Sequence, residues 1–524
     1  MKRLLISIGA AMLLALFMVI PDWLYAYAEP TFYRVTLRTF KEWGIWTVLL
    51  LGVVTLPSLR WKLAVWTGIS LLSLTGMLHF AFFHGYLMPY EIATGMSQVE
   101  EIVESLRGIG AYAMLPTVIW VCQLLAGWAL LYTVKHKTAH WRVSGFFLAL
   151  AFLAVPVSAY FRHNVSVLMP KNTTLSSLNT YNALALFLGK ELPKRRIHHA
   201  SHINYRPYEI ERKNVKLPSL AVVVMGESLG YKYMHLYGYE KPDTPLLDKR
   251  KEDSAFAFAK AISCGVDTLT AVPSFFLLKR EPDNVALLGR NTTNLFALAK
   301  KQGFTTHYWT TQKLNIMAPY LADADDVRRF KGYDTSMLHA LEKLDTRKRH
   351  FVVIHQRNSH SPYEHSTPPR FYRFAFDNQP YAVYMRNSYA NSVLFTDWLL
   401  DKMIEVVSRW PSAALIVTSD HAEMMGMPEE HGRFGHSFLD KEVAKVPAML
   451  YLRHLRPEVL KRFRRTVCMN HYKLGLTVAD ILGFDVKNPN DDGIYFIQGT
   501  AIDGSNGYIR YDEQTCRNWL KEKT

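Results

Sequence analysis

Apolar residues crowd into five runs within the first 160 positions: Leu4 to Ile20, Trp43 to Leu56, Leu63 to Phe83, Ala111 to Val134 and Val143 to Tyr160. A helix needs about 20 apolar residues to cross a bilayer, so the pattern predicts five membrane-spanning helices, the second built on the shortest run. The stretch PDWLYAYAEP after the first run contains no small-residue cleavage site, and that run therefore reads as an uncleaved helix. Lys and Arg collect in cytoplasmic loops. Lys2, Arg3, Arg60, Lys62, Lys135, Lys137 and Arg142 fall on one side, whereas the loop from His84 to Gly110 sets Arg107 against Glu91, Glu100, Glu101 and Glu104. Only the first outer loop, with Arg34, Arg38 and Lys41, runs against this rule. With the N-terminus inside and five spans, everything after Tyr160 lies outside the cytoplasm.

The pattern then changes. Between 161 and 216, Leu175, Leu178, Leu184, Ala185 and Leu188 fall near helical spacing and are followed by Lys190, Lys194, Arg195 and Arg196, as expected of a bridging segment whose helix lies at a membrane surface. From Leu217 onward, short apolar runs alternate with helical stretches. LAVVVMG (220 to 226), FTTHYWT (304 to 310), FVVIHQ (351 to 356) and AALIVTSD (413 to 420) are continuous rather than alternating, which suits strands covered on both faces. Candidate helices at 294 to 302, 389 to 409 and 472 to 482 lie between or after them. The expected organisation is a multi-pass helical membrane domain (1–160), a bridge (161–216) and an α/β domain (217–524) with a largely parallel sheet covered by helices.

Composition sharpens this in two ways. The 524-residue chain carries a formal net charge of +16, which fits anionic lipid head groups or an anionic substrate such as lipopolysaccharide; nucleic acid is not expected outside the cytoplasm. Of four cysteines, Cys122 falls inside a span, so Cys264, Cys468 and Cys516 can form at most one disulfide in an oxidising compartment.

Ligands of parallel sheets bind at the carboxyl ends of strands. Two of the expected strands end in candidate metal ligands, Glu227 after the first and Asp420 with His421 after the last; carboxylates and imidazoles suit Zn²⁺, which leaves a position for a reacting group. The segment ISCGVDTLTAVPSFF (262 to 276) offers Ser263, Asp267, Thr268 and Thr270 on a turn before a helix. A hydroxyl there is a poor nucleophile unless a metal activates it, and helix N-terminal amides suit phosphate oxygens. IHQRNSHSPYEH (354 to 365) adds His355, His360 and His365, and EEHGRFGHSF (429 to 438) adds His431 and His436, any of which can orient a phosphate, move a proton or bind a second metal.

In this order, the segments GESLGYKYMHLYGY (226 to 239) with TP at 244 and 245, SCGVDTLTAVP (263 to 273), HQRNSHSPY (355 to 363), YANSVLFTD (389 to 397), and SDHAE (419 to 423) with GRFGHSF and VP at 446 and 447 resemble the lipid-linked phosphoethanolamine transferases of the Gram-negative envelope, within the alkaline phosphatase and sulfatase superfamily. The resemblance implies Thr268 as nucleophile, Glu227, Thr268, Asp420 and His421 as ligands of one Zn²⁺ with a second ion conceivable, and His360 and His436 as substrate-phosphate or second-metal residues; His355, His431 and Glu101 stand behind these. It implies phosphatidylethanolamine as donor, lipopolysaccharide or lipooligosaccharide as acceptor, and an inner-membrane enzyme with a periplasmic catalytic domain. The loop from His84 to Gly110, with Thr94 and Gln98, would meet the ethanolamine ammonium or help the domain dock. Two positions depart from the family: Gly230 stands where many members have Arg, and Ser274 stands where a disulfide partner of the Cys264 position is usual. The second departure points toward members acting on core heptose rather than lipid A. Phosphoglycerol transfer, a sulfatase-like phosphodiesterase and a non-catalytic envelope-binding protein are the alternative readings. No formylglycine C/S-x-P-x-R context stands at the nucleophile segment, and a mere binder has no need of a hydroxyl among metal ligands.

Overall fold

The computed structural model describes residues 1–89, 91–92, 96, 110–162, 165, 168–193, 204–290, 292–312 and 320–522. Glu101, Thr94, Gln98 and the basic residues Lys194, Arg195 and Arg196 lie outside the described residues. The chain divides into two units, Met1–His198 with Gly432–Phe434 and His199–His431 with Gly435–Thr524.

The first unit is helical: α1 (Lys2–Ala28), α2 (Leu37–Val54), α3 (Leu59–Phe83), α4 (Met114–Val134), α5 (Ser144–Phe161) and α6 (Ser176–Leu186). Among the described residues, four helices are long and apolar enough to cross a membrane: Lys2–Ala28, Leu59–Phe83, Gly110–Val134 and Ser144–Phe161. The fifth expected span, α2, is a helix of 18 residues, but Arg38, Lys41 and Glu42 in its first turns leave it less apolar than the other four. Its Glu42 is buried, pairs with Arg38 at 2.6 Å and accepts the Leu175 amide at 2.9 Å. Asp22 of α1, also buried, accepts the Ser176 amide and hydroxyl. These carboxylates satisfy the orphan donors at the start of α6. Helix α6 packs against α3 and α5, with Ser176, Ser177, Asn179 and Thr180 buried beside Ala183, Ala185 and Leu186.

The second unit contains an eight-stranded sheet. Its strands in chain order are β1 (Leu220–Gly226), β2 (Phe256–Ile262), β3 (Thr305–Thr310), β4 (Asp326–Arg329), β5 (His350–His355), β6 (Ala413–Ser419), β7 (Lys445–Arg453) and β8 (Met469–Asn470). Spatially they run β8-β2-β7-β6-β1-β5-β3-β4. The four apolar runs read from the sequence form the contiguous centre β6-β1-β5-β3, with every pairing parallel. Within the sheet β7 alone runs opposite, antiparallel to β6 and β2. One consequence matters for chemistry: β1, β2, β3, β5 and β6 all end on the same side. Val222, Val223, Val224, Val352, Ile354, Ile416 and their neighbours are fully buried, as a sheet covered on both faces requires.

Helices Leu295–Lys301 and His471–Ile481 match two of the expected segments, each opened by an Asn whose side chain accepts a backbone amide, Asn294 from Phe296 and Asn470 from Lys473. The third expected helix, expected to start at 389, begins eight residues earlier as α8 (Tyr381–Val407), after Pro380. Cys468 and Cys516 form a disulfide, and Cys264 is a buried thiol.

In the helical unit, Gly127 of α4 allows Trp66 of α3 to lie against its backbone. An added Cβ would stand 2.1 Å from the Trp66 ring, and the indole donates to the Leu124 carbonyl at 3.2 Å. Gly127→Ala is therefore expected to cost about 1–3 kcal/mol through overpacking, read as a lower unfolding temperature of the full chain in detergent. An unchanged transition would contradict this packing.

Candidate active site

Glu227 follows β1, His355 ends β5, and Asp420 and His421 follow β6, so parallel pairing alone brings them to one edge. Thr268 reaches the same edge from β2 through a short turn and is the first residue of helix α7 (Thr268–Phe276). Asp267 caps that helix by accepting the Thr270 amide at 3.1 Å. Of the four hydroxyl or carboxyl groups open to choice in this segment, only the Thr268 hydroxyl is turned to the two carboxylates: it donates to Asp420 Oδ2 at 2.6 Å and lies 3.3 Å from Glu227 Oε2. Ser263 instead donates to the Asp420 carbonyl at 2.5 Å, and Thr270 bonds back to Asp267.

The turn after β1 is held from several directions. Ser228 occupies the left-handed region at φ 55°, uncommon for a residue with a side chain. Its amide donates to Asp420 Oδ1 at 3.0 Å, its hydroxyl to Glu227 Oε1 at 3.1 Å, and its carbonyl accepts the Tyr389 hydroxyl at 2.7 Å. Backbone strain concentrated at such a site is tolerated when the surroundings over-determine it. Tyr389 thus ties the GES turn, and Asp397 of the same motif accepts the amides of Leu246 and Leu247 just after the TP pair.

His421 Nε2 lies 3.4 Å from Glu227 Oε1 and 3.5 Å from Asp420 Oδ2. His355 Nε2 lies 3.9 Å from Glu227 Oε2. Neither nitrogen has a hydrogen-bond partner, although both rings are fully buried. Such orphans call for explanation, and a cation supplies one. Donors about 2 Å from a tetrahedral ion stand about 3.3 Å apart, close to the spacings among Thr268, Glu227, Asp420 and His421. Glu227, His355 and Asp420 each offer a ligand atom within 4.8 Å of the others and together can hold a metal ion.

Burial would raise Glu227, but His421, with His360 and His355 behind it, holds its carboxyl well below the usual range. Burial and then repulsion from Glu227 raise Asp420. Burial disfavours charge on His421, yet Asp420 and Glu227 outweigh it and raise the imidazole, while burial takes His355 down to about 4.

His436 lies against His421, the ring centroids 4.3 Å apart and the planes tilted by 31°, and the His360 ring centroid lies 6.3 Å from that of His436. Both rings are partly open to solvent, as is Thr268, whereas Glu227, Asp420, His421 and His355 are buried. His431 and His365 are exposed. Gly230 packs near Ala422, where an added Cβ would approach within 3.1 Å; Lys232, the next cation along the chain, is instead buried against Glu430 and Glu442. Two groups escaped the sequence reading. Gln312, just beyond β3, donates to Glu227 Oε2 at 2.6 Å and to the Gln356 carbonyl at 2.9 Å. Glu423, the last residue of SDHAE, is buried and accepts His436 Nδ1 at 3.1 Å. Strand-end position would have flagged Gln312, but an uncharged amide draws no attention by itself.

The sulfatase family model matches residues 219–483. Phosphoethanolamine transferase EptA of Helicobacter pylori is 27% identical over 300 residues, covering 52% of this chain and 55% of that protein. EptA of Escherichia coli K12 is 23% identical over 414 residues (70% and 73%), and the Kdo(2)-lipid A phosphoethanolamine 7''-transferase of the same strain is 24% identical over 250 residues (44% of each). The chain thus spans about half the length of the first and third of these relatives. Among solved structures, the integral membrane lipooligosaccharide phosphoethanolamine transferase A of Neisseria meningitidis aligns over 91% of this chain and 95% of its own with a TM-score of 0.59 at 17% identity, a likeness of fold. With its matched segment running from the strand before Glu227 to beyond the Asp420–His421 pair and filling just over half of the 524 residues, the chain belongs to the sulfatase family.

Proposed function

We propose that this protein is an inner-membrane phosphoethanolamine transferase, its α/β unit in the periplasm, that moves phosphoethanolamine from phosphatidylethanolamine to lipopolysaccharide or lipooligosaccharide by way of Thr268. The observation that carries the reading is the Thr268 hydroxyl, reachable from solvent, set 2.6 Å from Asp420 and 3.3 Å from Glu227 beside the unpartnered His421 Nε2. The named activity of the relatives and the net charge of +16, suited to anionic lipid and glycolipid, support it.

Glu227, Thr268, Asp420 and His421 would hold Zn²⁺, which supplies Lewis acidity that eases ionisation of an alcohol and offsets negative charge on a phosphoryl group. The chain's own residues do the rest. Thr268 Oγ attacks phosphorus, forming a phosphoester while the bond from phosphorus to the glyceride oxygen breaks and diacylglycerol departs. The hydroxyl proton moves along the short bond to Asp420. His360 and His436, on the open side of the cluster, are placed to hold phosphate oxygens and to give a proton to the departing alkoxide. The acceptor hydroxyl or phosphate then attacks the same phosphorus from solvent, and Thr268 is released. Thr268 also stands at the positive end of the α7 dipole, which favours the negative charge gathered in the transition state.

Thr268→Ala should reduce transfer from labelled phosphatidylethanolamine by about 1,000-fold or more, with the protein still folded in the membrane, while Thr268→Ser keeps a measurable fraction. Near-normal transfer by the alanine variant ends the assignment, and transfer of label from phosphatidylglycerol instead of phosphatidylethanolamine would point to the phosphoglycerol alternative. Stripping divalent metal with EDTA should abolish transfer and lower the unfolding temperature, and zinc at about 100 times its Kd should restore about 2.7 kcal/mol of stability; a transition indifferent to both treatments argues against a metal site.

A further inference from the structure

We propose that Tyr308 is a positioning residue for metal binding: it accepts the Nδ1 proton of His355 and so turns that ring's Nε2 lone pair toward the ion held by Glu227 and Asp420, making His355 a further ligand. The inference rests on the metal reading given above and adds to it a ligand and the residue that orients it.

Four histidines surround the site, and each has its Nδ1 engaged. His421 meets the Ala422 carbonyl at 3.0 Å, His360 the Ser361 carbonyl at 2.6 Å, and His436 the Glu423 carboxylate at 3.1 Å. Those partners only accept, so the proton sits on Nδ1 and the Nε2 lone pair is left for a ligand. A ring nitrogen facing a metal is generally set this way by what the other nitrogen bonds. His355 differs, because its Nδ1 partner is a hydroxyl, Tyr308 Oη at 2.7 Å, which can donate or accept.

The surroundings of the other ring nitrogen decide between the tautomers. If Tyr308 donated to Nδ1 instead, Nε2 would carry a hydrogen in a fully buried position with no acceptor, since Glu227 Oε2 at 3.9 Å is beyond hydrogen-bond reach. A buried unsatisfied N–H is costly; a lone pair in that place is what a cation uses. The backbone of His355 is fixed as well, paired with Met225 in β1 and Thr310 in β3, its carbonyl accepting the Thr310 hydroxyl at 3.0 Å. Tyr308 itself is fully buried, edge-on to Phe296 and to His355.

The test uses the full chain purified in detergent, stripped of metal, with zinc titrated in competition with a chromophoric chelator. Tyr308→Phe, which keeps the aromatic packing and removes only the hydroxyl, and His355→Gln should each weaken zinc affinity about 10- to 100-fold, and His355→Gln should alter the visible spectrum of the cobalt-substituted protein. Wild-type zinc affinity in both variants, with Glu227→Gln still losing the metal, overturns this inference and leaves the parent reading standing. Wild-type affinity in Glu227→Gln as well sinks the metal site itself and the inference with it. Should His355→Gln fail to fold, Tyr308→Phe carries the test alone.

Discussion

Two carboxylates, Glu227 and Asp420, are buried within reach of a single hydroxyl. Removing an ionised carboxylate from water is expensive unless positive charge or donors meet it, and two in one place repel each other. Asp420 Oδ1 takes the amides of Ser228 and His421, while Glu227 takes Ser228 and Gln312. Even so, the Nε2 atoms of His421 and His355 remain without hydrogen-bond partners in the same space. A divalent cation would relieve both problems together, by neutralising the acids and taking up the lone pairs. The strained turn at Ser228, the tie from Tyr389 and the cap at Asp267 all serve to hold this charged knot in one geometry.

The sheet makes the convergence inexpensive in chain length. Because β1, β5 and β6 are parallel neighbours, residues immediately beyond each strand fall side by side without long loops, which is the general reason sites of open α/β sheets gather at carboxyl ends. Antiparallel β7 sits between β6 and β2 and so allows β2 to run in the direction of the others. That direction delivers Thr268 to the correct end. A gradient of exposure follows: the proposed ligands are buried, whereas Thr268, His360 and His436 are partly open to solvent.

The helical unit solves a related problem with different means. Asp22 and Glu42 lie buried in helices otherwise rich in apolar residues, where an unpaired acid is costly. Each is spent on the first amides of α6, which have no partner inside their own helix. The helix Ser176–Leu186 is thereby tied to α1 and α2 as well as packed on α3 and α5.

Periodicity and strand-end position were enough to read from the chain alone the apolar helices, the four central strands and the acidic and histidine residues that follow two of them. These are local properties: a continuous apolar run or a residue just past a strand depends on few neighbours. The motif order added Thr268. Folding decided everything that depends on distance between remote segments. It turned Thr268 rather than Ser263 or Thr270 to the carboxylates, set His436 rather than His431 against His421, brought Gln312 to Glu227, and drew α6 in among its neighbours. No spacing in the chain reveals which of several equivalent hydroxyls or imidazoles faces a buried charge, because that choice belongs to the packing of strands and helices far apart in sequence.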